Sequence, residues 1–452
     1  GFIFALQVQF RGLLQMILVL GIGGSFPYGF HISVINYPSV HIRKFINETW
    51  IDRHGSALHP DTVMLLWSFI VSVYGIGGFL GSLCCGLFIF LFFFRKKCQM
   101  FTNLIMLVAA LFMALSRTAK SFEMILVGRF LYGIGAGFSL NIHPQYVGEI
   151  SPKKLRGFTN ATVAVFLTLG KLTGQLVGLR EILGSEALWP WLLASSGLSA
   201  LLQLATLPFF PDSPSYLLIQ KGNEEACRKG RVSAFLTSSL PLLCPRESLC
   251  SRGGRAGLLL KERSLRWQLY ILLIVMTTLQ LCGINAVECS PHAQDRRGST
   301  RNLSIRGHLP TGDLFCLSVP SATATGRSSS RSEETNEPGV CLAFPAGATI
   351  SVMVEIFSQS YRPSAFLIVG CINWMGLFVL GMIFPVIVDN LGPLCFLIFL
   401  GILVLSAIFI YLYLPETKGK SIMEIKAEFN KLNFGKKETS VLQVLQITEL
   451  LD

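Results

Sequence analysis

Charged residues are scarce in this chain. Only 14% of its 452 residues are Asp, Glu, Lys or Arg, against about 25% in an average soluble domain. Hydrophobic residues make up 51%, and the mean hydropathy is +0.56. This composition argues against an ordinary soluble protein and predicts an all-α integral membrane protein with several spans.

Acidic residues are the scarcer sign of charge, with 26 Asp and Glu against 38 Lys and Arg. The net charge of +12 alone would admit a nucleic-acid partner. The basic residues, however, collect in short loops between apolar runs, which is how membrane topology is marked. We therefore expect a lipid bilayer around the chain and no nucleic acid as a partner.

Groupings typical of catalysis are missing as well. The 12 cysteines are scattered, and several fall inside apolar runs, without metal-ligand spacing or a disulfide framework. We find no nucleophile elbow and no phosphate-binding loop. The GIGG sequences at Gly21–Gly24 and Gly75–Gly78 do not follow strands, so we interpret them as helix-packing glycines. We predict no enzyme activity, no metal and no cofactor.

Long apolar runs are what the sequence has in abundance. About 20 such residues cross a bilayer. The predicted spans are 13–35, 63–94, 101–115, 124–142, 158–179, 188–210, 267–287, 366–388 and 391–414.

These spans predict four parts. Residues 1–218 form a six-helix transmembrane bundle, 219–266 a basic cytoplasmic linker, 267–414 a second bundle, and 415–452 a cytoplasmic tail containing an amphipathic helix. The second bundle is interrupted by residues 288–340, which hold nine Ser and six Arg and no run able to cross a membrane. The stretch 36–61 is predicted to be an outer loop, with a glycosylation sequon at Asn47.

One stretch, Gly128–Gly157, joins an apolar helix to a charged turn. Arg129 stands within the apolar part, where a charge is costly in lipid, so it should face other helices or a polar end. Gly133, Gly135 and Gly137 should let helices approach closely. Lys171 of the fifth span leaves two interpretations open, snorkelling to the outer interface or a functional lysine.

Two features recur at nearly one offset. Glu149 precedes Arg156 by seven residues, as Glu355 precedes Arg362, and 355 − 149 = 206. Pro211 and Pro415 each follow a span, and 415 − 211 = 204. This indicates a parallel duplication. The two halves differ in length. From the start of the first span to Glu149 there are 136 residues (149 − 13), whereas from the start of the seventh span to Glu355 there are 88 (355 − 267). We therefore expect the C-terminal bundle to be incomplete.

Several motifs resemble the sugar-porter branch of the major facilitator superfamily, and within it the facilitative hexose transporters. The resemblance is closest to their second, fructose-leaning class, and within it to the eleventh member. It rests on YVGEISPKKLRG at 146–157, PDSPSYLL at 211–218, GINA at 283–286, EIFSQSYRP at 355–363, NW at 373–374 and PETKGK at 415–420. It implies a plasma-membrane transporter with two repeated helical bundles and both termini in the cytoplasm.

The resemblance also implies roles for particular residues. The sugar-binding amides fall on Gln280 and Asn285, beside the pair Asn373 and Trp374. The cytoplasmic gate and its salt bridges fall on Arg95, Arg129, Glu149, Arg156, Glu355 and Arg362. At 276–278 the chain reads MTT where glucose-selective members carry QLS. His31 stands where Asn is common in the family. Two interpretations of this side chain stay open, a packing imidazole and a sugar contact.

Two functions follow from these features. The first is facilitative transport of a hexose, fructose or glucose, by alternating access, since the first span carries no Asp or Glu. The alternative is a non-transporting product of an aberrant transcript or gene model that lacks helices eight and nine. The chain begins at Gly1 and its first methionine is Met16, so we also expect residues to precede it.

Overall fold

The structure, a computed structural model, describes a large part of the chain in separate segments. The described residues are 11–92, 95–151, 155–210, 265–281, 356–357, 362–391, 394–415, 424–425 and 427–433. The predicted linker 219–266 lies almost entirely outside them, and the polar insert 288–340 lies wholly outside. The division of the chain into four parts therefore stays a prediction.

Helices make up the described segments almost entirely. Those of the N-terminal half are α1 (Arg11–Gly23), α2 (Ser25–Val34), α3 (Ser39–His54), α4 (Pro60–Phe92), α5 (Arg95–Leu115), α6 (Glu123–Ile150), α7 (Arg156–Val177), α8 (Trp189–Ala194) and α9 (Ser196–Thr206), with a short 3-10 turn at Leu207–Phe209. The C-terminal half contributes α10 (Arg266–Leu281), α11 (Arg362–Leu391) and α12 (Cys395–Tyr413).

The predicted spans coincide with these helices. In the described part of the chain, six stretches are long and apolar enough to cross a membrane, and two shorter apolar helices accompany them. The six are Gly12–Val34, Pro60–Gly86, Lys96–Leu115, Glu123–Gly148, Trp189–Phe209 and Ser364–Ile383; the shorter two are Ala161–Val177 and Leu397–Tyr413.

The first span is broken between α1 and α2. Gly24, at the break, has φ −103° and ψ −88°. Pro27 has no N–H to offer the carbonyl of Gly23 four residues earlier. Gln99 of α5 supplies the missing donor, with its Nε2 3.1 Å from the Gly23 oxygen. Because an unpaired buried carbonyl is unfavourable, this hydrogen bond from Gln99 stabilises the helix break inside the bundle.

The stretch 36–61, predicted to be a loop, contains the helix α3, so the loop prediction was wrong. Ile42, Ile46 and Thr49 are buried, and their spacing of four and three residues places them on one helical face. The run is too polar to resemble a span, but its apolar face packs on the bundle. Asn47 lies on this helix, where its Oδ1 accepts a hydrogen bond from Leu58 N at 3.1 Å.

Ion pairs tie α3 to the loops after the third and fifth spans. Lys44 of α3 contacts Glu186 at 2.7 Å, and Asp52 of α3 contacts Lys120 at 3.1 Å. On the opposite side, Lys96 at the start of α5 donates to the carbonyl of Phe210, which follows the sixth span, at 2.6 Å. The ends of the spans therefore alternate between two faces of the molecule, as membrane topology requires.

Glycines set the closest helix approaches. A Cβ at Gly133 or Gly137 of α6 would collide with the α4 carbonyl of Tyr74 or Gly78, and one at Gly135 with Met106 of α5. Between α2 and α7, a Cβ at Gly29 would come within 3.1 Å of Lys171 N. The prediction that these α6 glycines allow close packing is confirmed.

The C-terminal helices have their own apolar cluster. Leu269 and Leu272 of α10 pack with Ala365 of α11 and with Ile425 and Phe429 of the tail. Residues 427–433 are helical, in agreement with the predicted tail helix. Asn433 also accepts a hydrogen bond from Trp267 N at 3.2 Å, which caps the first turn of α10.

Candidate polar site between the two halves

Polar side chains of α2, α10 and α11 meet in a buried chain of hydrogen bonds. Gln280 Nε2 donates to Asn373 Oδ1 at 2.6 Å, and Asn373 Nδ2 donates to the Tyr28 hydroxyl at 3.3 Å. Gln280 is 4% exposed and Asn373 5%. Buried amides in a membrane bundle need such partners, and this chain connects the N-terminal half to the C-terminal half.

Aromatic rings enclose one side of these amides. The indole of Trp374 makes edge contacts with Tyr28, at 5.2 Å between ring centroids, and with Tyr74 of α4, at 5.3 Å. All three side chains are buried. Their distances and interplanar angles of 82° and 73° are those of favourable aromatic pairs.

Small residues let α4 and α11 approach closely enough to make these contacts. A Cβ at Gly75 would stand 2.9 Å from Phe378 N, one at Gly78 would overlap the Trp374 indole, and one at Gly381 would meet Ser72 Oγ at 2.5 Å. As the residue number rises along α4 it falls along α11. The two helices therefore pack antiparallel, and the seam between them joins the two halves.

Arg129 lies behind the aromatic rings. It is 2% exposed, and its guanidinium donates to the carbonyl of His31 at 3.1 Å and to that of Val71 at 3.4 Å. Its Cζ also lies 4.6 Å from the centroid of the Tyr74 ring, a cation–π distance. Arg129 thus faces other helices, as predicted, and holds α2, α4 and α6 together.

His31 sits one turn after Tyr28 on α2. Its ring packs against Tyr132 of α6, with 3.9 Å between centroids, and more loosely against Tyr74, at 5.9 Å. It is 1% exposed. Lys171, 9% exposed, also lies inside the bundle rather than on its outer surface.

The structure brings three of the four residues expected at the sugar together: Gln280, Asn373 and Trp374. Asn285 lies outside the described residues, as does Glu355 of the expected gate. Arg95, Glu149, Arg156 and Arg362 occupy ends of α5, α6, α7 and α11, and their side chains are not described. Arg129 precedes Glu149 by 20 residues on α6, about 30 Å along a helix, so it stands far from that layer.

Sequence reasoning missed two residues of the site, Tyr28 and Tyr74. Each tyrosine belongs to an uncharged span and directly precedes a glycine, in PYG and VYG. That signal was present but unspecific, because only packing shows that both rings contact Trp374. In the MTT triplet, Thr278 Oγ1 donates to Ser406 Oγ of α12 at 2.6 Å, so this hydroxyl joins two C-terminal helices.

Comparison with known proteins identifies the class. The family model described as "Sugar (and other) transporter" matches residues 16–289 and 340–429. The structure resembles the proton:xylose symporter XylE bound to 6-bromo-6-deoxy-D-glucose, with a TM-score of 0.70 and 18% identity, over 93% of this chain and 99% of that chain. The fold is therefore that of the major facilitator superfamily, with two repeated helical bundles.

Curated relatives define the group within that superfamily. Human facilitated glucose transporter member 11 is 37% identical, over 98% of this chain and 99% of the relative. Mouse member 9 is 35% identical over 92% and 85%, and human member 5 is 34% identical over 92% and 91%. The chain belongs to the facilitative hexose transporters of the sugar-transporter family, which are multi-pass membrane transporters and not enzymes.

The family match also locates the irregular region of the chain. Residues 290–339 fall between the two matched ranges, and they nearly coincide with the polar insert at 288–340. The prediction of an incomplete C-terminal bundle agrees with this interruption.

Proposed function

We propose that this protein carries a hexose across a membrane by facilitative transport with alternating access. The observation that supports it most directly is the hydrogen-bonded chain of Gln280, Asn373 and Tyr28, with Trp374 beside it. A hexose presents hydroxyls that both donate and accept hydrogen bonds and an apolar face of ring carbons. Amides together with aromatic rings match that chemistry.

Access to this site requires movement. Gln280, Asn373 and Trp374 are each at most 5% exposed, and Asn373 and Trp374 both contact Tyr28 of the N-terminal half. A sugar therefore enters when α2 and α4 move away from α10 and α11. In this proposal Asn285 adds a further amide, and Arg95, Glu149, Arg156, Glu355 and Arg362 pair at the cytoplasmic ends when the outer side is open.

Downhill transport is the mode that we propose. Residues 12–34 of the first span contain no Asp or Glu able to carry a proton. From the basic residues after the second and fourth spans we infer that both termini lie in the cytoplasm. We further propose that the protein resides in the plasma membrane, with Asn47 facing outward as a glycosylation site.

Uptake by proteoliposomes tests this function. Purified protein should take up labelled fructose or glucose with saturable kinetics, and a proton ionophore should leave the initial rate unchanged. Comparing the two sugars identifies the preferred hexose. Absence of saturable flux for either sugar, from protein shown to be folded by its thermal unfolding, would refute the proposal.

A second candidate is a family product that does not transport. The observation in its favour is the family model's interruption at residues 290–339. Sequencing the transcript across codons 287–341 separates the two. A message that encodes two apolar segments there supports an ordinary transporter, whereas one that encodes the polar insert supports the second candidate.

A further inference from the structure

We propose that Tyr74 is a specificity-determining residue of the hexose site and that its hydroxyl hydrogen-bonds a sugar hydroxyl next to Trp374. This inference rests on the proposed transport of a hexose. It assigns to α4 a direct part in binding, in addition to its packing against α11. The four residues that the sequence assigned to the sugar lie in the C-terminal half, and in the N-terminal half it left only His31 as an open candidate.

Tyr74 is fixed in place from three sides. Its ring contacts the Trp374 indole at 5.3 Å and the His31 ring at 5.9 Å. The Arg129 guanidinium lies over the ring at 4.6 Å. Since Arg129 is itself held by the carbonyls of His31 and Val71, the Tyr74 ring has little freedom to turn.

The hydroxyl of Tyr74 is nevertheless unpaired. Within the described residues, Tyr74 Oη, Trp374 Nε1 and His31 Nε2 are buried and have no hydrogen-bond partner. A buried polar atom without a hydrogen-bond partner is unfavourable. The Tyr74 ring contacts the rings of both Trp374 and His31, so the three side chains that carry these atoms form one cluster. A ligand rich in hydroxyls would give these atoms hydrogen-bond partners.

The chemistry of the cluster favours a neutral polyol. A tyrosine hydroxyl donates and accepts, an indole N–H only donates, and the neighbouring amides of Gln280 and Asn373 do both. A sugar hydroxyl can accept from the indole N–H, and it can both donate to and accept from the tyrosine hydroxyl. The guanidinium of Arg129 lies against the face of the Tyr74 ring and donates hydrogen bonds to two carbonyls. It therefore positions the tyrosine, and its charge does not require an anionic ligand.

Tyr132 provides a matched comparison. It is also buried and also packs on His31, but its hydroxyl donates to the carbonyl of Leu193 at 3.1 Å. Removing the Tyr132 hydroxyl should weaken the fold and leave sugar selectivity unchanged. Removing the Tyr74 hydroxyl should weaken sugar binding and leave the unfolding of the sugar-free protein unchanged or raise its midpoint.

The experiment compares Tyr74→Phe with Tyr132→Phe in the purified full chain, using the hexose that the wild type binds and its singly deoxygenated analogues. We expect Tyr74→Phe to weaken binding about tenfold, from the loss of one hydrogen bond to a buried ligand. In transport assays KM should rise and kcat should hold. One deoxy-hexose should bind the wild type about tenfold more weakly than the parent sugar, and the Tyr74→Phe variant should no longer distinguish the two.

The outcomes separate the two proposals. If the wild type binds no hexose, the proposed function fails and this inference fails with it. If the wild type binds a hexose and Tyr74→Phe shows the same affinity and the same deoxy-hexose profile, only the role of Tyr74 is overturned. Should Tyr74→Phe not fold, Tyr74→Leu, which also lacks the hydroxyl, is judged by the same criterion. If Tyr132→Phe also fails to distinguish the deoxy-hexose from the parent sugar, the role of Tyr74 is overturned as well.

Discussion

Trp374 of α11 occupies the space that a side chain at Gly78 of α4 would need. A methyl group at Gly78 would overlap the six-membered ring of the indole. Only movement of Trp374 or separation of the two helices would relieve that overlap. A residue without a side chain in the N-terminal half thus fixes the position of the largest aromatic ring in the site.

We therefore expect Gly78→Ala to weaken hexose affinity. The displaced indole loses its contacts with Tyr28 and Tyr74, which makes a loss of about tenfold reasonable, since a small misplacement of a binding group has effects of this size or larger. The measurement is the KM for uptake in proteoliposomes, together with direct binding of labelled hexose. Gly401→Ala is the control, because a Cβ at Gly401 of α12 would meet nothing within 4 Å. Equal KM values for both variants would contradict the prediction.

The hydrogen bond between Gln280 and Asn373 should appear as an energetic coupling. Groups that share one buried hydrogen bond are non-additive, by about 0.5–3 kcal/mol. We expect the Gln280→Ala and Asn373→Ala variants, measured singly and together for hexose binding, to show coupling in this range. The pair Gln268→Ala and Asn373→Ala serves as control, since Gln268 stands 12 residues before Gln280 on α10. Additivity in the first pair would show that the two amides bind the sugar independently.

Arg129→Lys should destabilise the protein despite keeping the charge. Lysine cannot serve two carbonyls and an aromatic face from one planar group. Loss of charge-assisted hydrogen bonds of this kind costs about 1.5–3 kcal/mol each, which should lower the midpoint of thermal unfolding in detergent by several degrees. Arg117→Lys is the control, because Arg117 donates to the carbonyls of Glu186 and Ala187 in an exposed position. Unchanged unfolding of Arg129→Lys with altered hexose affinity would instead place Arg129 in the binding site.

The exposed ion pair of Lys44 and Glu186 should give a small pH dependence of stability. The hydrogen bond from the Lys44 ammonium lowers the pKa of Glu186 below its ordinary value of 4.5. In the interval below that value the unfolded chain binds a proton that the folded chain does not, so stability rises with pH there. The contribution is complete above about pH 4.5 and is lost as the pH falls through the lower folded pKa.

Thermal unfolding of wild type and Glu186→Gln across pH checks this sign. The difference between them should be present at about pH 7 and vanish at low pH, and it should be small because both side chains are more than half exposed. Glu181→Gln, in the same loop, controls for the loss of a surface charge. A difference that grows as the pH falls would contradict the assignment.

Which segments would be helical membrane spans could be predicted well. The apolar runs correspond to α1 and α2, α4 to α7, α8 and α9, and α10 to α12, because crossing a bilayer is a local demand on length and composition. The helix α3 could not be predicted on that basis. Its buried face has only four residues, of which Ile42 and Ile46 are the apolar ones. The helix became recognisable only through its packing on the bundle.

The candidate site was predicted in part. The resemblance pointed to Gln280, Asn373 and Trp374. In the structure Gln280 donates a hydrogen bond to Asn373, which directly precedes Trp374. The expected gate residues and Asn285 stay predictions, because their side chains or the residues themselves are not described. Tyr28 and Tyr74 could not be identified beforehand, since a tyrosine in an apolar span is equally compatible with packing anywhere in the bundle.

The sequence by itself determined that the chain is a membrane bundle of two related halves, and it predicts an interruption of the second half after Val287. Hydrophobic length, loop charge and repeated motifs act locally along the chain, so they can be recognised without coordinates. Only the tertiary structure decided which polar groups lie opposite one another across the two halves. That choice depends on helix rotation and on close approach at Gly75, Gly78 and Gly381, and neither is encoded by any one segment alone.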